Sequence, residues 1–363
     1  MTGTWARLAS GRIFVLVNLS ASTLLVAGVG IVYGVIGSVN IAALQDVVEG
    51  NPLVASAMGI VVIAIAVKAG VFPVHTWLPR TYPGTSAAVM GLFSGLHTKV
   101  AVYMLYGIWV HIFDMDPTWN WLIVAFMVVS MLVGGFAGLG ENSIRRVLAY
   151  QMVNGMPFIL IMMAFTSDDP QRALAAGLLY TLHHMITIAA LVLTSGAIEE
   201  TYGTGMLSKL SGLARREPVV AAVFAAGAFS VVGFPPFSGM WGKALILLEI
   251  ARVGNIAAWI AIAAIIIASL GALLSMIRVW REVFWGGTMH QRGVSPQLRI
   301  SAAKIAPALS LIILSVGMFI FAGPLIDATL TATDGLLNTD AYQQAVLGEN
   351  AIGVPSPSYQ GGN

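Results

Sequence analysis

The sequence contains no cysteine among its 363 residues. This absence excludes a cysteine-ligated iron–sulfur cluster, a thiol nucleophile and any disulfide bond. The chain also lacks a Walker sequence, a dinucleotide-binding G-x-G-x-x-G after a strand and a nucleophile elbow. We therefore expect neither an enzyme nor a bound cofactor. The net charge of +2 is too small to indicate a partner nucleic acid.

Charged residues are scarce, at 9% of the chain against about 25% in soluble domains. Hydrophobic residues make up 58%, and the mean hydropathy is +0.86. Apolar runs of about 18 or more residues are long enough to cross a bilayer as helices. The sequence predicts an all-α polytopic membrane protein with about nine spans. They lie at about 13–37, 52–74, 85–112, 119–138, 147–166, 171–197, 218–252, 256–283 and 301–326.

The distribution of charge between alternate loops predicts the orientation. One side holds twelve basic residues: Arg7, Arg12, Arg80, Arg145, Arg146, Lys209, Arg215, Arg216, Arg278, Arg281, Arg292 and Arg299. The other side holds two basic residues and six acidic ones: Arg172, Arg252, Asp46, Glu49, Asp114, Asp116, Asp168 and Asp169. The positive-inside rule then places the N-terminus in the cytoplasm and the C-terminus outside. The first residues, MTGTWARLASGR, lack the short apolar core and small-residue cleavage site that a signal peptide is expected to have.

Three lysines lie well inside the predicted spans. They are Lys68 in the second span, Lys99 in the third with His97 two residues before it, and Lys243 in the seventh. A lysine at the centre of a bilayer costs about 2.5–3.5 kcal/mol on insertion scales unless it faces water or a partner. We interpret these groups as parts of a proton path. The competing interpretations are that Lys68 snorkels to the cytoplasmic face, that Lys243 is interfacial, and that His97 is an ordinary core residue.

His183 and His184 lie midway along the sixth span, in a stripe that also contains Tyr180 and Thr187. We expect one histidine to line a polar interior and the other to pack. A metal site is not indicated, because the histidines are adjacent and no acidic residue lies near them in the spans. Glu249 is a carboxylate within a span, near the outer end of the seventh. It is either a candidate exit group or an interfacial residue.

The seventh span contains Pro235-Pro236, which cannot continue a helix. A broken helix frees backbone groups, which is tolerated at membrane depth only beside protein or water. A second break is predicted from Gly70 to Pro73, directly after Lys68. Two breaks on spans of opposite direction suggest an inverted repeat. We divide the chain into a partial first repeat (1–118), a second repeat (119–284), a last span (285–330) and a polar, partly ordered tail (331–363).

Four segments carry a resemblance to a known family. They are VKAGVFPVHTWLPRTYPGTSAAVMGLFSGLHTKVAVYMLYG, ENSIRRVLAYQMVNGMPFIL, GFPPFSGMWGKALI and SMIRVWREVFWG. They resemble the antiporter-like membrane subunits shared by respiratory complex I, membrane-bound hydrogenases and Mrp-type cation/proton antiporters. The last segment is most similar to the D subunits of the Mrp group. The resemblance covers roughly residues 10 to 325.

The family implies fourteen helices in two inverted five-helix repeats, with a hydrophilic axis of lysines, histidines and a glutamate that carries protons. By resemblance, Lys68 is the lysine of the first broken helix, and its partner is a glutamate on the preceding repeat helix. Lys99 is the connecting lysine of the next helix, and Lys243 is the lysine of the second broken helix. His183 matches the histidine that begins the family's central motif.

Two departures from the family pattern stand out. The chain begins where the family's sixth helix begins, so the resemblance implies a fold truncated at the N-terminus, without the glutamate-bearing helix. An internal start or a split gene would each account for this. Many relatives have a lysine where this sequence has Ile188.

The function expected from the sequence is a proton-translocating subunit of a multi-subunit Na+/H+ antiporter in the bacterial plasma membrane. Its partners would be other membrane subunits, protons, Na+ and the lipid bilayer. One alternative is a proton-pumping subunit of complex I or of a membrane-bound hydrogenase. A further alternative is a scaffold subunit that conducts nothing, which the missing glutamate and Ile188 favour.

Overall fold

The computed structural model describes residues 5–45, 48, 51–287, 289, 294–295 and 297–348. Regular structure in this part of the chain is helical, apart from one antiparallel bridge between Ser143 and Met206. The helices in chain order are α1 (Trp5–Ile36), α2 (Pro52–Ala69), α3 (Trp77–Thr81), α4 (Ala87–His111), α5 (Asn120–Ala137), α6 (Ile144–Leu160), α7 (Pro170–Tyr202), α8 (Pro218–Val232), α9 (Gly239–Val253), α10 (Ile256–Val279), α11 (Ala302–Ile320), α12 (Ala322–Leu337) and α13 (Thr339–Leu347).

Eight helices among the described residues are long and apolar enough to cross a membrane. They match eight of the nine predicted spans. The remaining span, predicted at 218–252, is divided into α8 and α9, which have 15 residues each. Neither half reaches the roughly 20 residues that a crossing needs. The prediction of an all-α polytopic membrane protein with a helix broken near residue 235 is confirmed.

Helix starts are encoded by short-range capping. Asn51 precedes α2, and its side chain accepts hydrogen bonds from the N–H groups of Leu53 and Val54 at 3.1 and 3.2 Å. Asp169 caps α7 in the same way, and a proline follows each cap at the first helical position. These caps satisfy amides that the helix leaves without intrahelical partners.

The two breaks have the same local form. Gly70 ends α2 with φ of +73°, and Gly233 ends α8 with φ of +104°. Each glycine N–H bonds back to carbonyls of the preceding turn, and a tight turn follows at Val71–Val74 and at Phe234–Phe237. Positive φ favours glycine because it has no Cβ. The break predicted at 70–73 is therefore present as well.

Helix α7 lies at the centre and packs against α6, α8, α9, α11 and α12. Helix α6 is also almost completely buried. Helix α5 approaches α6 closely at Gly134. A Cβ on this residue would clash with the backbone nitrogen of Asn154. Small residues permit such close helix packing in membrane proteins. The result is a closely packed core centred on α6 and α7.

The C-terminal region differs from the prediction. A polar, partly ordered tail was expected from about residue 331, whereas α12 and α13 continue the helical structure to Leu347. Thr333 donates to the carbonyl of Gln171 at 3.1 Å, and the side chain of Asn338 caps α13. These contacts give the polar segment partners on α7 that its composition does not reveal. Residues 349–363 lie outside the described part, as do Asp46, Glu49 and Arg292 of the orientation prediction.

Candidate functional site

Lys243 lies in the second turn of α9, just after the second break, and its side chain is 7% exposed. Its Nζ donates to the backbone oxygen of Val232 and to Ser269 Oγ, both at 2.8 Å. The Val232 carbonyl ends α8 and has no intrahelical partner, so the break itself supplies the acceptor. The amino group also lies 5.0 Å from the centroid of the Phe158 ring. Lys243 is therefore a buried group of the core and not an interfacial lysine.

Lys99 lies in α4, two residues after a π-helical segment at Phe93–His97. Its Nζ donates to the Ser94 carbonyl at 2.7 Å and to Thr98 Oγ1 at 3.1 Å, and the side chain is 7% exposed. π-helical turns often occur at functional positions because they displace backbone carbonyls from the α-helical pattern. Within the described residues, neither Lys99 nor Lys243 forms an ion pair with a carboxylate.

His97 is half-buried and lies at the end of the π-helical segment, two residues before Lys99. Its Nδ1 lies 3.0 Å from the hydroxyl of Tyr82. Burial raises the pKa of Tyr82, so the phenol keeps its proton, and the tautomer of His97 decides which of the two groups donates. The positive charge of Lys68 also acts on this imidazole. Tyr82 was not identified from the sequence, because its position in a loop gives no sign of this contact.

Lys68 lies in the last turn of α2 and is half-buried. Its Nζ donates to Ser22 Oγ at 3.2 Å. Ser22 lies near the middle of α1, so the amino group does not reach toward the end of that helix as snorkelling would require. No carboxylate of the described residues pairs with Lys68.

Both His183 and His184 are buried, at 1% and 2% exposure. His183 Nδ1 lies 2.8 Å from Ser238 Oγ, whereas His184 Nε2 lies 3.5 Å from the carbonyl oxygen of Gln151. The charges of Lys99 and Lys243 act on both imidazoles. Polar groups thus lie beside both imidazoles, Ser238 next to His183 and the Gln151 carbonyl at a longer distance from His184.

Polar side chains of α6 add to this site and were missed from the sequence. Gln151 and Asn154 share one face of α6 and are 1% and 2% exposed. Both polar atoms of the Gln151 amide, Asn154 Oδ1 and His184 Nδ1 have no protein partner. Buried polar groups of this kind are usually satisfied by ordered water. The signal that would have identified them is the i, i+3 pair of amides in an otherwise apolar helix.

Two further predicted features lie apart from this cluster. Glu249 is 8% exposed and accepts both hydrogen bonds from Arg252 Nη1, at 3.0 and 2.9 Å. It is six residues beyond Lys243, or about 9 Å along the helix. Its role as an exit group stays a prediction. Ile188 is fully buried among apolar side chains of the core.

The site offers lysine, histidine, amide and hydroxyl groups but few carboxylates. No group of three or more His, Cys, Asp or Glu side chains in the described ranges is placed to hold a metal ion. Chemically, the arrangement brings together basic groups that gain and lose protons, with backbone carbonyls as acceptors at the π-helical segment and at the break.

Comparison with known proteins adds a family match. Residues 1–274 match the model of the NADH:quinone oxidoreductase/Mrp antiporter transmembrane family. The chain is 31% identical over 353 residues to the D subunit of the Na(+)/H(+) antiporter of Alkalihalophilus pseudofirmus, covering 96% of this chain and 70% of the relative.

Solved structures give the same picture. A chain in the Mrp complex from Dietzia sp. DQ12-45-1b superposes with a TM-score of 0.89 and 37% identity, covering 95% of this chain and 71% of that chain. A chain of respiratory complex I from Thermus thermophilus gives a TM-score of 0.69 at 22% identity, covering 90% and 70%. The second likeness shows a shared fold alone.

Proposed function

Because the chain belongs to the NADH:quinone oxidoreductase/Mrp antiporter transmembrane family, we propose that it is the proton-carrying subunit of a multi-subunit Na+/H+ antiporter. The relative from A. pseudofirmus is named as an antiporter subunit, and the Dietzia chain belongs to an Mrp complex. The observation that carries the proposal is that two buried lysines, without carboxylate partners among the described residues, lie within electrostatic range of two buried histidines.

In the proposed path, a proton passes between Lys99 and Lys243 by way of His184 and His183. The unpartnered amide groups of Gln151 and Asn154 mark where water would complete the connection. Buried lysines suit this task because desolvation favours their neutral form, so that they release a proton more readily.

Lys68 and His97 form the beginning of the path. Lys68 is within electrostatic range of His97 and has no carboxylate partner among the described residues. We place that partner on another subunit of the complex. A change in its charge would shift the proton occupancy of Lys68, and then of the groups beyond it.

The alternatives differ in what must surround the chain. A complex I or hydrogenase subunit would require redox subunits encoded beside this gene, which neighbouring reading frames would reveal. Higher similarity to antiporter subunits favours the antiporter. A non-conducting scaffold would gain nothing from two buried lysines, each costing about 2.5–3.5 kcal/mol on insertion scales.

We propose a bacterial plasma membrane location with the N-terminus in the cytoplasm. The basic-residue bias supports this orientation. The contact of α13 with Ala42 supports a common side for the C-terminal helix and the loop after α1, as nine spans would require. The matching breaks support the proposal that 1–118 and 119–284 are parts of two inverted repeats. The last span, 285–330, and the tail, 331–363, follow them.

The test replaces one buried lysine at a time in the assembled complex. Lys99→Ala and Lys243→Ala are expected to lower Na+/H+ antiport by about tenfold or more, because a positioned proton-transfer group contributes on the order of 100-fold or more. Antiport is measured in everted membrane vesicles, and complex assembly is measured by purification.

Lys209→Ala is the matched control, because Lys209 is an exposed lysine of the same chain. It is expected to leave antiport unchanged. Wild-type antiport in a fully assembled Lys243→Ala complex would refute the proposed path and favour the scaffold.

A further inference from the structure

A closed ring of hydrogen-bonding groups lies at the second break. Its members are His183 Nδ1, Ser238 Oγ, Ser315 Oγ, Ser230 Oγ and Thr187 Oγ1. The successive distances around the ring are 2.8, 2.8, 3.1, 3.0 and 3.2 Å. All five residues are at most 3% exposed. Contacts of this length in a buried place are true hydrogen bonds.

The ring joins four parts of the fold. His183 and Thr187 belong to α7, Ser230 to α8 and Ser315 to α11, while Ser238 lies in the loop of the break. The N–H of Ser238 also donates to Ser315 Oγ at 3.3 Å. Ser315 is therefore the only contribution of α11 to the ring, and it contacts both sides of the break.

The packing around the ring leaves little space for rearrangement. A Cβ at residue 239, which is glycine, would clash with the Ser230 carbonyl oxygen and would lie 2.9 Å from His183 Cε1. The close approach of residue 239 thus restricts movement of the imidazole of His183 against the backbone of Ser230.

The number of hydrogens makes the ring directional. Each hydroxyl donates once, and a histidine Nδ1 either accepts or donates. Nδ1 has one hydrogen-bonding position in the ring plane, and the 2.8 Å contact makes Ser238 its partner, while Thr187 lies farther away at 3.2 Å. When Nδ1 accepts from Ser238, the four remaining contacts of the ring are bonded in one direction, from Thr187 through Ser230, Ser315 and Ser238 to His183. When Nδ1 carries a proton, the same four bonds run in the opposite direction and end at Thr187. A change at Nδ1 therefore reverses every hydroxyl in the ring.

We infer that Ser315 is a positioning residue that closes this ring. As a result, the proton on His183 Nδ1 and the direction of the hydrogen bonds across the break change together. The inference rests on the proposed function, because it assigns the ring a part in proton transfer. The charged and titratable groups that face His183 are Lys243, Lys99, His184 and Tyr180. None of them lies on α8 or α11, so the hydroxyls alone connect those helices to the imidazole.

Ser315→Ala removes the member contributed by α11 and leaves Ser230 and Ser238 each without one partner. We expect antiport by the assembled complex to fall about two- to tenfold, which is the effect of one net hydrogen bond, and its pH profile to shift. Ser315→Thr restores the hydroxyl and is expected to restore both. Ser310→Ala is the control, since Ser310 is exposed on the same helix and bonds only its own helix, at Ala306.

A second readout does not depend on transport. In the complex labelled with ¹⁵N-histidine, the His183 signals are assigned by their loss in His183→Gln. Ser315→Ala is expected to change the ratio of the two imidazole tautomers, and Ser310→Ala is not. If Ser315→Ala does not assemble, Ser230→Ala opens the same ring from α8 and is measured instead.

The outcomes separate the two proposals. Wild-type His183 signals and a wild-type pH profile in an open-ring variant would overturn the inference about the ring. Changed His183 signals together with antiport that is insensitive to Lys243→Ala would support the ring and refute the proposed function.

Discussion

The imidazole of His184 occupies space that exists because residue 155 is glycine. A Cβ there would clash with His184 Nε2, on the face of α6 that also presents Gln151 and Asn154. A single methyl group would thus displace the histidine from the polar cluster. The position of the His184 side chain therefore depends on Gly155, which has no side chain that could take part in proton transfer.

Gly155→Ala is therefore expected to destabilise the protein by about 1–3 kcal/mol, the usual cost of overpacking a core, and to slow antiport. Thermal unfolding of the purified complex and antiport in vesicles measure the two effects. Gly107→Ala is the control, because a Cβ there meets no atom within 4 Å. Equal unfolding temperatures for both variants would contradict the expectation.

Residues differ in how well the sequence identifies them. Lys99, Lys243 and the histidine pair were predicted because titratable groups are rare in apolar spans. Ser315 and Gln151 were not, because serine and glutamine are less exceptional there. Their significance depends on partners far along the chain, such as Ser238, which is 77 residues before Ser315.

The breaks are the elements on which the site is built. Gly233 ends α8 with φ of +104°, and a Cβ there would lie 3.0 Å from Lys243 Cδ. Both the backbone conformation and the approach of the lysine stem require glycine at this position.

Gly233→Ala is accordingly expected to lower the free energy of unfolding by about 1–3 kcal/mol, the cost of a residue held in a sparsely populated conformation. Gly59→Ala lies within α2, where a Cβ meets open space. It is expected to be neutral or to stabilise by up to about 1 kcal/mol. The unfolding temperatures of the two variant complexes should shift by different amounts. A Gly233→Ala complex as stable as the wild type would exclude backbone strain at residue 233.

Elements followed from the sequence where a local residue determines them. The paired prolines predicted the second break, and asparagine or aspartate before proline marks the starts of α2 and α7. Helices α12 and α13 were not predicted, because a polar composition alone indicates a tail. The helical structure of these two segments depends on tertiary contacts with α7 and with residues near the end of α4.

At the scale of the whole molecule, α13 contacts two segments that lie far from it in the sequence. The ring of Tyr342 stacks on that of His111 with centroids 4.7 Å apart, and Gln343 Nε2 donates to the Ala42 carbonyl at 3.1 Å. The C-terminal helix thus connects the end of α4 with the loop that follows α1.

Tyr342→Ala removes the stacked ring and is expected to destabilise the complex by about 0.5–1.5 kcal/mol, the range for an aromatic pair. It should also make the segment from Thr339 to Leu347 more accessible to protease. Gln344→Ala is the control, since this neighbouring side chain is exposed. Unchanged proteolysis in Tyr342→Ala would show that the stacking does not hold the helix.

The number and class of the spans followed from hydropathy, because a bilayer imposes length and polarity on each helix. The order in which helices surround α7 did not follow in the same way. It depends on side-chain packing, which has no simple periodic signature in a chain that is apolar throughout.

The bond from Lys243 to the Val232 carbonyl has a consequence for how such a helix changes in evolution. Removing the lysine alone leaves a buried carbonyl without a donor, which costs about 1–3 kcal/mol. Restoring a continuous helix alone takes that carbonyl away and leaves the buried amino group with one of its two acceptors, Ser269 Oγ. The break and the lysine thus constrain each other's replacement. We expect a lineage that loses one of them to lose the other as well.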